Sequence, residues 1–149
     1  MINLVEVTTT STAGPDAFFD CWADMATWHE WNLDTEWARL DGPFATGSTG
    51  VLKPKGGPKT KFRIESIVPR REFVDVSLLL GAKLTFDHQV RELPDGGTSL
   101  TIKATLSGLL APVWKLILGK GIAKTLAPDT ARLVARVEGA ATQRTGSAG

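Results

Sequence analysis

Apolar and polar residues alternate along most of the chain between residues 35 and 107, which is the pattern of β-strands that bury one face. In the clearest case Leu84, Phe86, His88 and Val90 share one strand face, and the polar residues between them share the other. Including one strand at the N-terminal end, the predicted strands cover residues 2–10, 35–41, 47–54, 60–68, 72–80, 83–93 and 98–107. The division into faces indicates a sheet that is covered on one side and meets water on the other.

Turn sequences separate the predicted strands, and the connections are short. They are Asp41-Gly42-Pro43, Lys55-Gly56-Gly57-Pro58, Pro69-Arg70, Gly81 and Pro94-Asp95-Gly96-Gly97. A parallel pair of strands needs a crossover of about a dozen residues or more, so these neighbouring strands must be antiparallel. The segment 35–107 is therefore predicted to be a continuous antiparallel meander.

Helical spacing appears between the first strand and the meander. Phe18, Cys21, Trp22 and Met25 follow Pro15 at the intervals that place side chains on one buried helical face. The aromatic residues that come next predict a second short helix at about 24–32.

A broad apolar stripe over residues 110–139 predicts a long C-terminal helix that covers the apolar face of the sheet. Gly119, Gly121 and Pro128 interrupt this stripe, so we expect a kink or a break in the helix. Gly139 is expected to end it, because glycine commonly follows the last helical turn.

The composition is that of one globular domain. The chain has 149 residues, of which 42% are hydrophobic and 22% are charged. Seventeen Lys and Arg against 16 Asp and Glu give a net charge of +1, so the chain lacks the basic excess of a nucleic-acid-binding protein. We expect a single domain at residues 1–139 and a flexible tail of small and polar residues at 140–149.

Other residue counts exclude further classes of protein. One Cys and two His provide neither an intrachain disulfide nor a pattern of zinc ligands, so we expect no metal and no cofactor. The first residues lack the pattern of a signal peptide, and no run of 18 or more apolar residues occurs, so stable membrane insertion is not expected. We expect a cytoplasmic monomer or homodimer.

Several segments resemble the START-like, or SRPBCC, superfamily in their order and spacing over residues 2–139. The segments are Gly14-Pro15-Asp16-Ala17-Phe18-Phe19, Trp28-His29-Glu30-Trp31-Asn32, Gly47-Ser48-Thr49-Gly50, Ile67-Val68-Pro69-Arg70-Arg71-Glu72-Phe73, Leu84-Thr85-Phe86-Asp87-His88-Gln89-Val90 and Asp95-Gly96-Gly97-Thr98-Ser99-Leu100-Thr101. Gly108-Leu109-Leu110-Ala111-Pro112 is similar to the start of the last helix in the polyketide cyclase/dehydrase-like branch.

This resemblance implies an α+β helix-grip fold of the birch-pollen-allergen-like kind. In that fold, two short helices follow the first strand, and a curved antiparallel sheet of about seven strands surrounds a long C-terminal helix with an internal hydrophobic cavity. The superfamily includes lipid and sterol carriers, hormone receptors, co-chaperones and aromatase/cyclases. Function must therefore be argued from the site, because the fold does not determine the reaction.

His88 is the candidate catalytic residue, since the strand alternation places an ionisable imidazole on the apolar face. In a cavity, this ring is able to act as a general base, a proton shuttle or a hydrogen-bond donor to a ligand carbonyl. The alternative is a structural histidine that bonds a backbone carbonyl or water.

Aromatic residues indicate where an apolar ligand would bind. The chain has five Trp and no Tyr, and four of the Trp lie between residues 22 and 37. The predicted ligand-binding residues, several of which have a core-packing alternative, are Trp28, Trp31, Trp37, Arg39, Phe62, Phe86, His88, Trp114, Leu118 and Ile122. Arg39 would meet an anionic group of the ligand, whereas its alternative is an outward salt bridge.

Three functions remain open at this stage. The first is binding, with or without transport, of a small hydrophobic ligand such as a lipid or a polyketide-like molecule. The second is a polyketide cyclase or dehydratase in which His88 moves a proton, and the third is a co-chaperone-like module that binds a protein. Lys115, Lys120 and Lys124 in the apolar segment 108–128 fit either contact with an anionic membrane or a solvated helix face.

Overall fold

A computed structural model describes the backbone of residues 1–148 and the side chains of residues 1–140. Its strands are β1 (Ile2–Ser11), β2 (Thr35–Leu40), β3 (Thr49–Pro54), β4 (Thr60–Val68), β5 (Glu72–Leu79), β6 (Ala82–Glu92) and β7 (Thr98–Ser107). They form one seven-stranded sheet in the order β1-β7-β6-β5-β4-β3-β2, and each pair is antiparallel. The predicted meander is confirmed, because short turns join each strand from β2 to β7 to its neighbour.

Register shifts bend the sheet at three places. They lie between Asn3 and Val5 in β1, between Thr35 and Trp37 in β2, and between Ile64 and Ser66 in β4. An extra residue in one strand increases the local twist and bends that strand, so these bulges help to curve the sheet. We call its buried, concave side the inward face and the opposite side the outer face.

Two short helices follow β1, as predicted. Helix α1 spans Pro15–Ala23, a single 3₁₀ turn spans Met25–Thr27, and helix α2 spans Trp28–Trp31. Pro15 stands in the first turn, where its missing N–H removes no helical hydrogen bond. Asp16 adds negative charge at the positive end of the same helix.

Helix α3 covers the inward face and spans Ala111–Ala148 without the predicted break. Pro128 lies inside this helix, and Gly139 does not end it. Apolar side chains on both sides of Pro128 pack on the same core, Leu126 before it and Leu133 after it, so tertiary packing offsets the local cost of proline. The flexible tail expected at 140–149 falls almost entirely on residues whose side chains lie outside the described part of the chain.

Hydrogen bonds hold α3 near its start and again at Glu138. Near its start, the Leu110 N–H donates to the Gly81 carbonyl oxygen at 2.9 Å, and Trp114 Nε1–H donates to the Leu80 carbonyl oxygen at 2.8 Å. Farther along, the Ser11 hydroxyl donates to Glu138 at 2.7 Å. The helix is therefore fixed to the β5–β6 hairpin near its start and to the end of β1 at Glu138.

The core between sheet and helix consists of two apolar clusters. The first joins α1, α2 and the later part of α3 to the inward face, with Phe18, Trp22, Phe73, Leu100 and Leu133 at its centre. The second joins the early part of α3 to the other end of the sheet and contains Leu84, Leu106 and Ala111. The sequence pattern and the structure agree on an α+β helix-grip architecture, and the junction between these clusters is where polar side chains enter the interior.

Candidate functional site

Strands β5 and β6 bring two ionisable side chains onto the inward face. His88 lies opposite Phe73 in the register of this strand pair, and Asp75 lies opposite Phe86. The two residues are therefore diagonal neighbours on one face, a relationship that typically separates residues by about 7–8 Å. Both residues are buried, with 8% of the surface of each exposed.

His88 is held in one orientation. Its Nδ1 lies 2.8 Å from the Phe73 carbonyl oxygen, and its ring stacks on the Phe73 ring at 4.7 Å with an interplanar angle of 14°. The Trp22 ring contacts the imidazole with centroids 5.0 Å apart. Because a carbonyl oxygen only accepts hydrogen bonds, Nδ1 carries the proton and Nε2 presents a lone pair.

Burial also fixes the charge of His88. It lowers the pKa of the imidazole from 6.5 to about 4, although the bond to the Phe73 carbonyl acts in the opposite direction. The ring is consequently neutral at pH 7, and its Nε2 is an acceptor. Of the roles that the sequence left open, hydrogen-bond donation to a ligand carbonyl does not fit this tautomer, whereas acceptance of a proton does.

Asp75 is a functional candidate that the sequence analysis did not select. Burial raises the pKa of its carboxyl group from 3.8 to about 7, so a large fraction is protonated at neutral pH. Among the residues with described side chains, none gives this carboxyl group a hydrogen bond or an ion pair. The sequence does indicate that Asp75 faces the interior, because Phe73, Asp75 and Ser77 follow the two-residue period of one strand face.

Apolar side chains from both clusters share the sheet–helix interior with these two groups. Phe86 is half-buried between Asp75 and the second cluster, to which Trp114, Leu118 and Ile122 also belong. Phe62, Trp28 and Trp31 lie in the first cluster, and all three are buried. The structure thus brings eight of the ten predicted ligand-binding residues, His88 included, to the sheet–helix interior.

Indole nitrogens supply further polar atoms in the first cluster. Trp28 Nε1–H donates to the Trp22 carbonyl oxygen at 3.0 Å. The Nε1 atoms of Trp22 and Trp31 are buried and have no partner in the structure. An unsatisfied buried donor typically costs about 1–3 kcal/mol, so these N–H groups are available to a ligand or a water that reaches them.

Two predicted ligand-binding residues lie on the other side of the sheet. Trp37 and Arg39 alternate along β2 with Ala38 and Leu40, whose side chains face the core. Arg39 lies over the Trp37 ring at 5.9 Å and forms a salt bridge with Asp41 at 2.8 Å. The prediction that Trp37 and Arg39 reach the interior is corrected, because both lie on the outer face. Arg39 forms the outward salt bridge that was its alternative.

A separate open groove of about 920 Å³ lies on the outer face. The residues that line it are Thr8, Pro69, Arg70, Arg71, Gln89, Val90, Arg91, Glu92, Ser99 and Thr101. Arg70 is already paired with Asp16 and Glu92, at 2.8 and 2.9 Å. Most of the lining side chains are exposed and polar, so this groove lacks the enclosed apolar wall that a small-molecule site usually has.

The described residues offer neither a metal-binding cluster nor a membrane-spanning helix. The described residues contain no group of three or more His, Cys, Asp or Glu side chains arranged to hold a metal ion. No helix in the described part of the chain is both long and apolar enough to cross a membrane.

Solved structures with the same fold come from several bacteria. The Zhui aromatase/cyclase from Streptomyces sp. R1128 is 16% identical with a TM-score of 0.68, and the match covers 97% of this chain and 96% of that one. A START superfamily protein from Mycobacterium smegmatis is 18% identical with a TM-score of 0.68, over 91% and 97% of the two chains. At such identities, the likeness establishes the fold alone.

A third structure is DynU16, a putative protein in the dynemicin biosynthetic locus, with 16% identity and a TM-score of 0.66. That match covers 90% of this chain and 46% of DynU16, so this chain spans about half of that protein. No curated protein matches the sequence. A family model described as "Polyketide cyclase / dehydrase and lipid transport" matches residues 4–138. The chain therefore belongs to the polyketide cyclase/dehydrase and lipid transport family.

Proposed function

We propose that this protein binds a small hydrophobic molecule that carries oxygen substituents, in the space between the inward face and α3. The observation that supports the proposal most strongly is the Asp75–His88 pair. Two polar groups, a carboxyl group without a partner and an imidazole with a free Nε2, lie side by side in otherwise apolar surroundings. Only 8% of the Asp75 surface is exposed and its carboxyl group has no partner among the described residues, so this group is available to a ligand that enters the interior.

The two groups offer complementary hydrogen bonds. Protonated Asp75 donates from its O–H, whereas the neutral His88 ring accepts at Nε2. A ligand that presents both a carbonyl oxygen and a hydroxyl, as hydroxyketones and phenolic polyketides do, satisfies both. Phe86, opposite Asp75 in the strand register, and Trp22 and Phe73, whose rings contact His88, supply rigid aromatic surface beside this pair, which suits a flat apolar molecule.

The test uses the hydroxyanthraquinone alizarin and, as a matched probe, anthracene, which has the same ring shape without oxygen. Binding is measured by quenching of tryptophan fluorescence and by native mass spectrometry. We expect alizarin to bind the wild type, and Asp75→Leu to weaken that binding about tenfold through the loss of one hydrogen bond. Anthracene should bind both proteins equally.

The matched control is Asp20→Leu, because the Asp20 side chain is exposed on α1 and does not belong to the core. This variant should bind both probes as the wild type does. Equal alizarin affinity for the wild type and Asp75→Leu would contradict the proposed role of Asp75. Failure of the wild type to bind any flat oxygenated probe would contradict the binding function itself.

A second candidate function, dehydration of a β-hydroxy ketone as in a cyclase or dehydratase, is favoured by one observation. Burial drives the pKa values of Asp75 and His88 in opposite directions, which gives an acid and a base side by side at neutral pH. In this scheme His88 Nε2 takes the α-proton while the Asp75 O–H donates to the carbonyl oxygen. The protonated imidazole then returns the proton to the β-hydroxyl, which leaves as water, and the enone is released.

Binding ranks above catalysis because a pKa of about 4 makes His88 a weak base. The enzyme assay follows the ultraviolet absorption of the enone formed from an aryl β-hydroxy ketone. If the protein is a dehydratase, His88→Gln reduces the rate to the uncatalysed background, whereas Trp37→Phe on the outer face leaves it unchanged. Equal rates for wild type and His88→Gln would remove His88 from the mechanism.

The third hypothesis, a protein-binding module, receives less support. On the outer face, charged side chains pair with one another, as in Arg63–Glu65 at 2.8 Å and Lys53–Glu36 at 3.1 Å. A docking surface on that side would need a contiguous apolar patch.

The proposed function also includes a cytoplasmic location for this protein.

A further inference from the structure

The early part of α3 exposes an unusual number of large apolar side chains. Leu109 is 96% exposed, Leu116 is 86% exposed and Ile117 is 62% exposed. Val113 is 49% exposed on the same side of the helix, and Leu80, at the tip of the β5–β6 hairpin, is 79% exposed. We call these five residues the apolar ridge.

The ridge is not explained by packing of α3 on the sheet. Trp114, Leu118 and Ile122 already form the side of α3 that contacts the second cluster. Val113, Leu116 and Ile117 lie on the opposite side, where a helix that rests on a sheet normally carries polar residues. Exposed apolar residues that form one patch, rather than scattered single ones, mark an interaction surface.

The hairpin and the helix form one surface. The hydrogen bonds from Leu110 N–H to Gly81 and from Trp114 Nε1–H to Leu80 fix the hairpin tip against the first turns of α3. Leu80 and Leu109 are therefore presented together at the same end of the molecule. The ridge is a preformed surface, since the bonds that build it do not depend on a partner.

The charged residues of the chain segment that carries most of the ridge are all lysines. Lys120 and Lys124 continue the exposed side of α3 beyond Ile117. The segment 108–128 contains no Asp and no Glu. Docking of a second copy of this chain through the same ridge would place these lysines against each other without a counter-charge, which is unfavourable.

We propose that the apolar ridge docks on the surface of a lipid bilayer that contains anionic headgroups. In this arrangement the leucine, isoleucine and valine side chains enter the boundary between headgroups and acyl chains, and Lys120 and Lys124 contact lipid phosphates. The helix lies in the interface and does not cross it, in keeping with the lack of a membrane-spanning helix among the described residues. This docking does not depend on the identity of the internal ligand or on any catalysis.

The test is co-sedimentation of the full chain with vesicles of equal parts phosphatidylcholine and phosphatidylglycerol, compared with vesicles of phosphatidylcholine alone. We expect the anionic vesicles to bind more protein, and the binding to fall when salt is raised from about 0.1 M to about 1 M. Leu116→Ser should weaken binding at least about tenfold. Lys120→Gln should weaken it about fivefold on anionic vesicles only.

Leu33→Ser is the matched control, since Leu33 is 44% exposed but lies outside the ridge. It should bind vesicles as the wild type does. Leu116→Ser should still bind alizarin if the wild type does, and its circular dichroism should be unchanged. Absence of binding to anionic vesicles, or equal loss in Leu116→Ser and Leu33→Ser, would overturn the proposal. So would a wild-type dimer in analytical ultracentrifugation that Leu116→Ser converts to monomer, because the ridge would then be a contact between copies.

Discussion

Phe73 holds His88 from two directions, since its carbonyl oxygen lies 2.8 Å from Nδ1 and its ring stacks on the imidazole at 4.7 Å. The hydrogen bond determines which nitrogen carries the proton, and the stacked ring excludes water from that side. Only Nε2 remains free for a ligand. Because Asp75 lies two residues from Phe73 on the same strand, this arrangement also sets the position of the neighbouring carboxyl group.

Asp75→Asn is predicted to change how stability depends on pH. In the folded protein the pKa of Asp75 is about 7, against 3.8 for the ordinary group, so the unfolded state loses this proton first as pH rises. The stabilising contribution of protonated Asp75 is complete below pH 3.8 and is lost as pH rises through 7. The whole effect is on the order of 4 kcal/mol. Asn cannot ionise, so urea unfolding at a series of pH values should show the variant gaining stability relative to wild type toward pH 7.

Asp20→Asn is the control for this experiment, because Asp20 is exposed on α1. Its unfolding free energy should follow the wild-type pH curve. If Asp75→Asn and wild type show parallel curves between pH 4 and pH 7, the carboxyl group is not held in its protonated form, and the account of Asp75 fails.

His88→Gln is predicted to change the same curve with the opposite sign. The folded pKa of His88 is about 4 and the ordinary value is 6.5, so the unfolded state gains a proton first as pH falls. The contribution of neutral His88 is complete above pH 6.5 and is lost as pH falls through 4, an effect on the order of 3 kcal/mol. Gln should therefore reduce the loss of stability between pH 6.5 and pH 4 in urea unfolding. If the unfolding free energy of His88→Gln falls between pH 6.5 and pH 4 as much as that of the wild type, His88 is charged in the folded state.

Gly108→Ala is predicted to destabilise the protein by several kcal/mol. Gly108 has φ +105, and a Cβ there would lie 2.7 Å from the Gly81 carbonyl oxygen and 2.9 Å from Ala82 Cα, both backbone atoms that cannot move away easily. Gly47→Ala is the matched control, because Gly47 has φ +94 and nothing within 4 Å. It should cost only about 1–2 kcal/mol of backbone strain. Equal urea midpoints for the two variants would show that the approach of α3 to the β5–β6 hairpin is looser than described.

Ser77→Leu is predicted to block alizarin without a comparable loss of stability. Ser77 is half-buried on the inward face, opposite Phe62 in one neighbouring strand and Leu84 in the other. The leucine fills part of the proposed ligand space, so affinity falls at least about tenfold while the urea midpoint stays unchanged or rises. In a filled core the same change would cost about 1–3 kcal/mol through overpacking. Thr85→Leu, half-buried on the outer face, should leave alizarin binding intact.

Much of the fold was predictable because its signals are local. Alternation such as Leu84-Phe86-His88-Val90 and turns such as Asp95-Gly96-Gly97 act over a few residues, and the observed strands follow the predicted ones closely. Helix α3 shows the limit of this reasoning. Pro128 is a local helix breaker, but its effect is offset by packing that the local sequence does not contain.

The site was less predictable than the fold. His88 was recognised because an ionisable residue interrupts an otherwise apolar strand face. Asp75 lies between Val74 and Val76 in a strand whose two faces both mix apolar and polar residues, so it does not stand out. Trp37 and Arg39 are an aromatic and a charged residue at the spacing of one strand face. The register of β2 places that face on the outer side of the sheet. Composition indicates that ligand-binding residue types are present, but strand register decides which of them reach the interior.

The most direct test of the proposed site is an NMR titration of the ¹⁵N-labelled protein with alizarin. The account predicts that the largest amide shifts fall on Asp75, Phe86 and His88 and on the start of α3 around Trp114, and that the outer face shows little change. Shifts centred instead on the outer groove, at Arg71, Arg91 and Thr101, would contradict the assignment of the ligand site to the sheet–helix interior.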